Sequence, residues 1–217
     1  MTTDSIRPID ISYNLLSRVD GSAKFSAGNS TVLCSVTGPA DVRIRDEKLD
    51  KATLDVIVRP AVGVTATKET SLAYMLRTTF ETVILLSHHP RTQIQVVAQI
   101  ISDDGSIISH LINATTMALL DAGIPMKAVV VGVGCLVDDK GKISIDPTAD
   151  EVEKAVSTHN FAFDSVSLAV LYSESTGVFT EEQYFQCFEA CKSCAEQLHN
   201  TIRKSVQARI DYENPQQ

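Results

Sequence analysis

The sequence contains no apolar run long enough to cross a bilayer; the longest, near Ala128–Val133, is strand-sized. Met1–Asp10 shows neither the basic nor the apolar region of a secretory signal, so none is expected. Basic excess is also missing. The net charge is -8, which argues against gripping nucleic acid by a uniformly basic surface. A local basic groove, or a channel completed by partner subunits, stays open. No Walker-type phosphate loop, serine or cysteine triad, repeat or linker is legible. Cysteine is scarce, at five residues, and without a signal these read as reduced intracellular thiols of cytosol or nucleus.

What remains is a chain of 217 residues, 44% hydrophobic and 21% charged, sufficient for a sizeable core. Thr31–Val36 runs apolar into the breaker Gly38-Pro39, after a turn at Val19–Ser22, and Ala52–Val58 is extended. Together they predict an early antiparallel sheet. From Thr67 to His88, Leu72, Met75, Leu76, Phe80, Val83 and Ile84 recur at helical spacing, with Pro90 as the stop. Gln93–Ile101 reads as a buried strand, Ser106–Asp121 as a helix and Ala128–Val137 as a strand, with a hairpin turn leading into Ile143–Ile145. Thr148 and Glu151 fit a capping box, Phe161–Tyr172 a long strand, and Thr180–Gln183 a second capping box. The last opens a helix to about Ile210, followed by a polar tail over Tyr212–Gln217. The order predicts one α+β domain over residues 1–217, with mixed sheets and packed helices.

Several constellations invite chemistry. Cys187, Cys191 and Cys194 have the spacing of a cluster-binding motif, yet in a helix they share one face, as small buried apolar side chains do. Core packing is the expectation. His88-His89 lacks a third ligand at useful spacing and reads as a solvated helix end. Ser109 and His110 are adjacent, which prevents a facing nucleophile–base pair. Gly132 and Gly134 inside a strand predict close packing rather than phosphate binding. Asp103-Asp104-Gly105-Ser106 ends a strand and opens a helix, where free N–H groups favour an anion. The same residue types are ordinary turn and cap residues, so both readings stand.

Gln99–Ala114, continued by Met117–Met126, resembles the central segment of the RNase PH family. Ile6–Asp10 with Val19–Ala23, Thr31–Pro39, Asp55–Pro60, Pro90–Val96 and Asp146–Glu151 resemble further family segments in the correct order. The last has the form seen in eukaryotic exosome ring subunits. The resemblance spans roughly Ile6 to Arg209 and implies a β-α-β-α core. It also implies six such subunits paired into a ring around an RNA channel, with cap subunits on one face and a processive ribonuclease on the other.

Active members let phosphate attack the terminal phosphodiester of RNA, which requires an anion site and an acid. Their Gly-Thr-Arg-Thr sequence corresponds here to Gly105, Ser106, Ile107 and Ile108. Two branched hydrocarbons cannot hold a dianion. The essential aspartate falls on Val152, with Asp150 and Glu151 close enough for a register shift to supply a carboxylate. The leader Arg-x-Asp-Gly-Arg is missing, and the RNA-gripping helix carries only Lys68 and Arg77 as basic residues, beside Glu69 and Glu81. The resemblance therefore implies a non-catalytic subunit, with no metal or cofactor, supporting 3′-to-5′ RNA processing in nucleus, nucleolus and cytoplasm. Arg43, Arg45, Lys68, Arg77 and Arg91 are the candidate contacts to an RNA backbone. The competing expectations are an active phosphorolytic nuclease using Ser106, backbone amides and Asp150 or Glu151, and a stand-alone homodimeric nuclease.

Overall fold

The computed structural model describes residues 6–213. Strands β1 (Ile9–Tyr13), β2 (Gly21–Ala27), β3 (Ser30–Asp41), β4 (Thr53–Arg59) and β5 (Thr92–Ser102) form a five-stranded sheet in the order β1-β2-β3-β5-β4. β3 alternates buried and half-buried positions along most of its length, the period-2 signature of a strand with one face on the core. Contrary to the expected wholly antiparallel start, β4 pairs parallel with β5. Helix α1 (Thr67–Val83) provides the crossover that such a pair needs.

Helix α2 (Ile107–Asp121) follows, and then β6 (Val130–Val137), β7 (Ile143–Ile145), helix α3 (Ala149–Lys154), β8 (Ser157–Asp164) and β9 (Val170–Gly177). These strands form an antiparallel sheet ordered β7-β6-β8-β9, and helix α4 (Glu181–Glu213) closes the fold. α2 is buried nearly all round because it packs on β2 and β3 of one sheet and on β6 and β8 of the other. β6 is buried at every position, held between α2 and α4. The two sheets thus share one apolar core, with α2 as their common wall.

Four sequence expectations are corrected. β3 runs through Gly38-Pro39 to Asp41; a register irregularity between Thr37 and Ala40 absorbs the proline, which has no N–H to donate. α1 stops at Val83, not His88, because Ile84 becomes extended and bridges Met126 while the Leu85 N–H donates to Pro125. The two histidines therefore sit past α1, around a separate 3₁₀ turn at Leu86–His88. The single strand expected over Phe161–Tyr172 is a hairpin. Asp164 turns the chain by accepting the Val166 N–H and the Ser167 hydroxyl. Finally, α4 continues through Glu213 into the expected tail, of which residues 214–217 lie outside the described residues.

Both capping boxes are present. The Thr148 N–H donates to Glu151 at 3.0 Å, and the Thr180 N–H donates to Gln183 at 2.9 Å. The cysteine face of α4 is buried, with Cys187, Cys191 and Cys194 turned onto β6 beside Cys135. Hydrogen bonding with Cys135, followed by desolvation, raises the pKa of the Cys187 thiol, and among the described residues no histidine, cysteine or carboxylate group forms a metal cluster. Gly132 fills the close-packing role expected of it. Its N–H and C=O are both held by the Asn113 amide, and a Cβ would lie 2.9 Å from the Ser109 carbonyl.

A candidate anion site without its cation

The β5–α2 turn and the segment before α3 are far apart in sequence and touch in space. Gly105 adopts a positive φ of +85°, and a Cβ there would come within 2.4 Å of the Pro147 carbonyl. That contact brings the two motifs singled out in the sequence to one cleft of about 340 Å³. Gly105, Ser106, Ile107 and Ile108 line one side of it, and Val152 lines the other. Lys68, Asp103, Glu153, Thr158 and Asn160 complete the polar part of the wall.

Ser106 lies at the N-terminus of α2 in the left-handed region, with φ 50°. Among the described residues, no side chain caps the helix and the buried Ser106 Oγ has no hydrogen-bond partner. The helix start thus retains the donors of an anion site. Its side chains do not. Ile107 and Ile108 present hydrocarbon, and Lys68, the one cation lining the cleft among the described residues, stands 3.7 Å from Asp103. With Glu153 also present, the charged groups of the cleft sum to a net negative value, which opposes a phosphate dianion.

The acid position is equally altered. Val152 does face the cleft, but neither neighbouring carboxylate replaces it. Asp150 does not line the cleft, and Glu151 spends an oxygen on the Thr148 N–H and faces another pocket beside Lys154. A register shift therefore supplies no acid from those two residues. Glu153, which sequence counting does not single out, is the α3 carboxylate that lines the cleft.

A second group unseen in the sequence sits directly behind. Arg7 grips Asp146 with two parallel bonds of 2.8 Å, donates to the Asp104 carbonyl at 3.1 Å and lies 3.5 Å from the Asp104 carboxylate. His110 Nε2 stands 3.4 Å from the same Asp146. Asp146 is 7% exposed and His110 2% exposed. Burial lowers the His110 pKa; Asp146 opposes the shift and Arg7 adds to it. Hydrogen bonding to Asp146 is the main influence raising the pKa of Arg7. Asp146 is thus occupied by a cation and has no free face for substrate. Arg7 is an isolated arginine more than a hundred residues from its partner, so only pairing across the fold could reveal it.

The candidate RNA-contact residues divide between two places. Lys68 belongs to the cleft just described. Arg43, Arg45 and Arg77 line a larger cleft of about 750 Å³ on the five-stranded sheet, together with Asp41, Asp46, Glu47 and Asp55. Arg45 pairs with Asp46, Arg77 with Glu81, and Arg91 with Glu47. Among the described residues, Arg43 is the one of the five without an ion pair. The five do not form one basic surface, and their local charge is largely balanced.

Comparison with known proteins accounts for the juxtaposition. The 3′ exoribonuclease family pattern RNase PH matches residues 5–125 with its first domain and residues 128–194 with its second. The chain is 36% identical to the exosome complex component rrp46 of Schizosaccharomyces pombe over 88% of its length and 85% of that protein. It is 31% identical to the exosome complex exonuclease RRP46 homolog of Arabidopsis thaliana, covering 95% of this chain and 93% of that one. The crystal structure of rice Rrp46 superposes with a TM-score of 0.89 at 31% identity, over 94% of this chain and 96% of that one. The cleft between the β5–α2 turn and α3 is where the two domain patterns meet, and the chain belongs to the RNase PH family of 3′ exoribonucleases.

Proposed function

We propose that this chain is a non-catalytic ring subunit of an RNA exosome, supporting 3′-to-5′ RNA processing and decay. One observation carries the proposal: Ile107, Ile108 and Val152 meet in a single cleft where the family's chemistry needs a cation and an acid. The similarity to exosome complex component rrp46 supplies the assembly. Partners are the other RNase PH-type ring subunits and the cap subunits, in nucleus, nucleolus and cytoplasm. RNA meets this chain only through weak backbone contacts at residues such as Arg43, because the net charge of -8 gives no general attraction.

Catalysis is tested with the purified chain, RNA labelled at its 3′ end, and inorganic phosphate. No nucleoside diphosphate is expected. Phosphate-dependent release by the isolated chain would restore the nuclease reading, with Ser106, the α2 amides and Glu153 as its machinery. Assembly is tested by co-expressing the chain with its sibling RNase PH-type subunits and weighing the product by native mass spectrometry. A stable homo-oligomer that ignores those partners would remove the ring assignment.

A further inference from the structure

Where the two sheets close on α2 they leave a cavity of about 20 Å³. Its walls come from β2, α2, β6, the segment before α3 and α4, through residues such as Phe25, His110, Gly132, Asp146 and Leu198. Every lining residue except Ile6 is buried. A water molecule needs roughly 10–15 Å³ of such space, so this cavity has room for one. Size alone does not make a cavity wet. Apolar cavities stay dry, and water enters where roughly two to four polar groups are left to bind it.

One side of this wall is polar. His110 is 2% exposed, and its buried Nδ1 has no hydrogen-bond partner among the described residues. The other ring nitrogen, Nε2, stands 3.4 Å from Asp146 Oδ1. Arg7 already matches the charge of Asp146 with two bonds of 2.8 Å, and burial favours the neutral form of the ring. An ionised carboxylate only accepts, so Nε2 carries the one ring proton and Nδ1 presents a lone pair to the cavity. A buried acceptor left without a donor is costly.

The neighbouring side chains do not fill that need themselves. The Ser109 hydroxyl spends its proton on the Ser106 carbonyl at 2.7 Å, and the Asn113 amide holds the N–H and C=O of Gly132. Both residues line the cavity, and both keep unused capacity. Asn113, three residues after His110 on the same helix face, retains a second N–H and a second lone pair on its oxygen. The Ser109 oxygen can still accept. A molecule that both donates and accepts completes the set. An ammonium-sized cation does not suit the cavity, because the guanidinium of Arg7 at Asp146 repels it.

We propose that this cavity is the site of one resident water molecule, which donates to His110 Nδ1 and holds the ring as the Nε2–H tautomer facing Asp146. The water thereby fixes a link between α2 and the segment before α3, at the joint of the two sheets. This inference is independent of the ring-subunit reading.

The test uses the full chain labelled with nitrogen-15, at about pH 8, where the neutral ring dominates. Long-range proton–nitrogen correlation spectra should show His110 Nε2 protonated and Nδ1 unprotonated. The ring protons of His110 should also give a cross-peak to the water signal. Ser109→Ala removes the nearby hydroxyl that could relay magnetisation from solvent, and the cross-peak should survive it. A crystal structure at high resolution should show one density peak within hydrogen-bond distance of Nδ1. A ring protonated at Nδ1 would overturn the proposal. So would a cross-peak that disappears in Ser109→Ala, or a cavity without density.

Discussion

Replacing Arg7 with methionine tests the reasoning about the buried Asp146 most directly. Methionine keeps much of the aliphatic stem and removes the guanidinium. Asp146 then loses two bonds of 2.8 Å while remaining 7% exposed, so its carboxylate is left buried without its cation. Breaking a buried pair from one side costs about 3–5 kcal/mol. The Arg7 side chain is 15% exposed, which points to the lower end, about 3 kcal/mol. For a chain of this size that lowers Tm by about 6–12 °C. His110, 3.4 Å from Asp146, then becomes the remaining candidate cation. Arg7 helps to hold the His110 pKa down, so its removal lets the ring protonate at higher pH and pair with Asp146. The penalty should therefore be largest near pH 8 and shrink toward pH 6. The double variant Arg7→Met with Asp146→Asn should cost less than half as much, since no buried charge is stranded. Asparagine also tolerates the positive φ of 51° at that position. Urea unfolding of the three proteins at pH 6 and pH 8 measures all of this. Equal destabilisation of single and double variants, or a penalty independent of pH, would refute the argument.

Three further outcomes follow from the geometry. Gly105→Ala places a methyl within 2.4 Å of the Pro147 carbonyl at a positive φ, and should cost at least about 2 kcal/mol in urea unfolding; an unchanged midpoint would contradict the described contact. Asp121→Ala removes the acceptor of the Ser22 N–H and the carboxylate that pairs with Arg209, whose guanidinium also lies 5.2 Å from the Tyr13 ring. A loss of about 2–3 kcal/mol is expected, with the C-terminal half of α4 becoming protease-sensitive first; cleavage elsewhere would argue against α4 being clamped there. Burial holds His110 and His159 below their ordinary value of 6.5. The unfolded chain therefore binds protons that the folded one refuses, and stability is full above about pH 7.5 and falls as pH drops through 6.5. At pH 5.5 the loss reaches up to about 1.4 kcal/mol per histidine, and a flat or rising urea midpoint between pH 8 and 5.5 would oppose it.

Local pattern carried much of the fold. The strands of alternating or β-branched character, the apolar period of α1 and α2, and both capping boxes were legible because each depends on neighbours within a few residues. The errors arose where distant contacts overrode local preference. α1 has the helical period to continue beyond Val83, but Ile84 and Leu85 are drawn out to pair with the Pro125–Met126 segment. The turn after Asp164 is not legible in the sequence, because Phe161–Tyr172 is apolar or aromatic on both sides of a short polar break. At the candidate site, Gly105, Ser106, Ile107, Ile108 and Val152 were identified by their resemblance to a family motif. Asn160, Thr158 and Glu153 were not, since nothing local distinguishes them from surface polar residues.

The sequence by itself determined that the anion site lacks an arginine and that its counted acid position holds valine, because side-chain chemistry needs no coordinates. It also determined that the cysteine triplet, spaced on one helical face, would be buried. Only the tertiary structure decided that Ile107 and Val152 share one cleft, that Glu153 lines it, and that Arg7 holds Asp146. Those facts depend on approaches between segments separated by up to 139 residues. Such contacts are set by how two sheets close on α2, which no local pattern encodes.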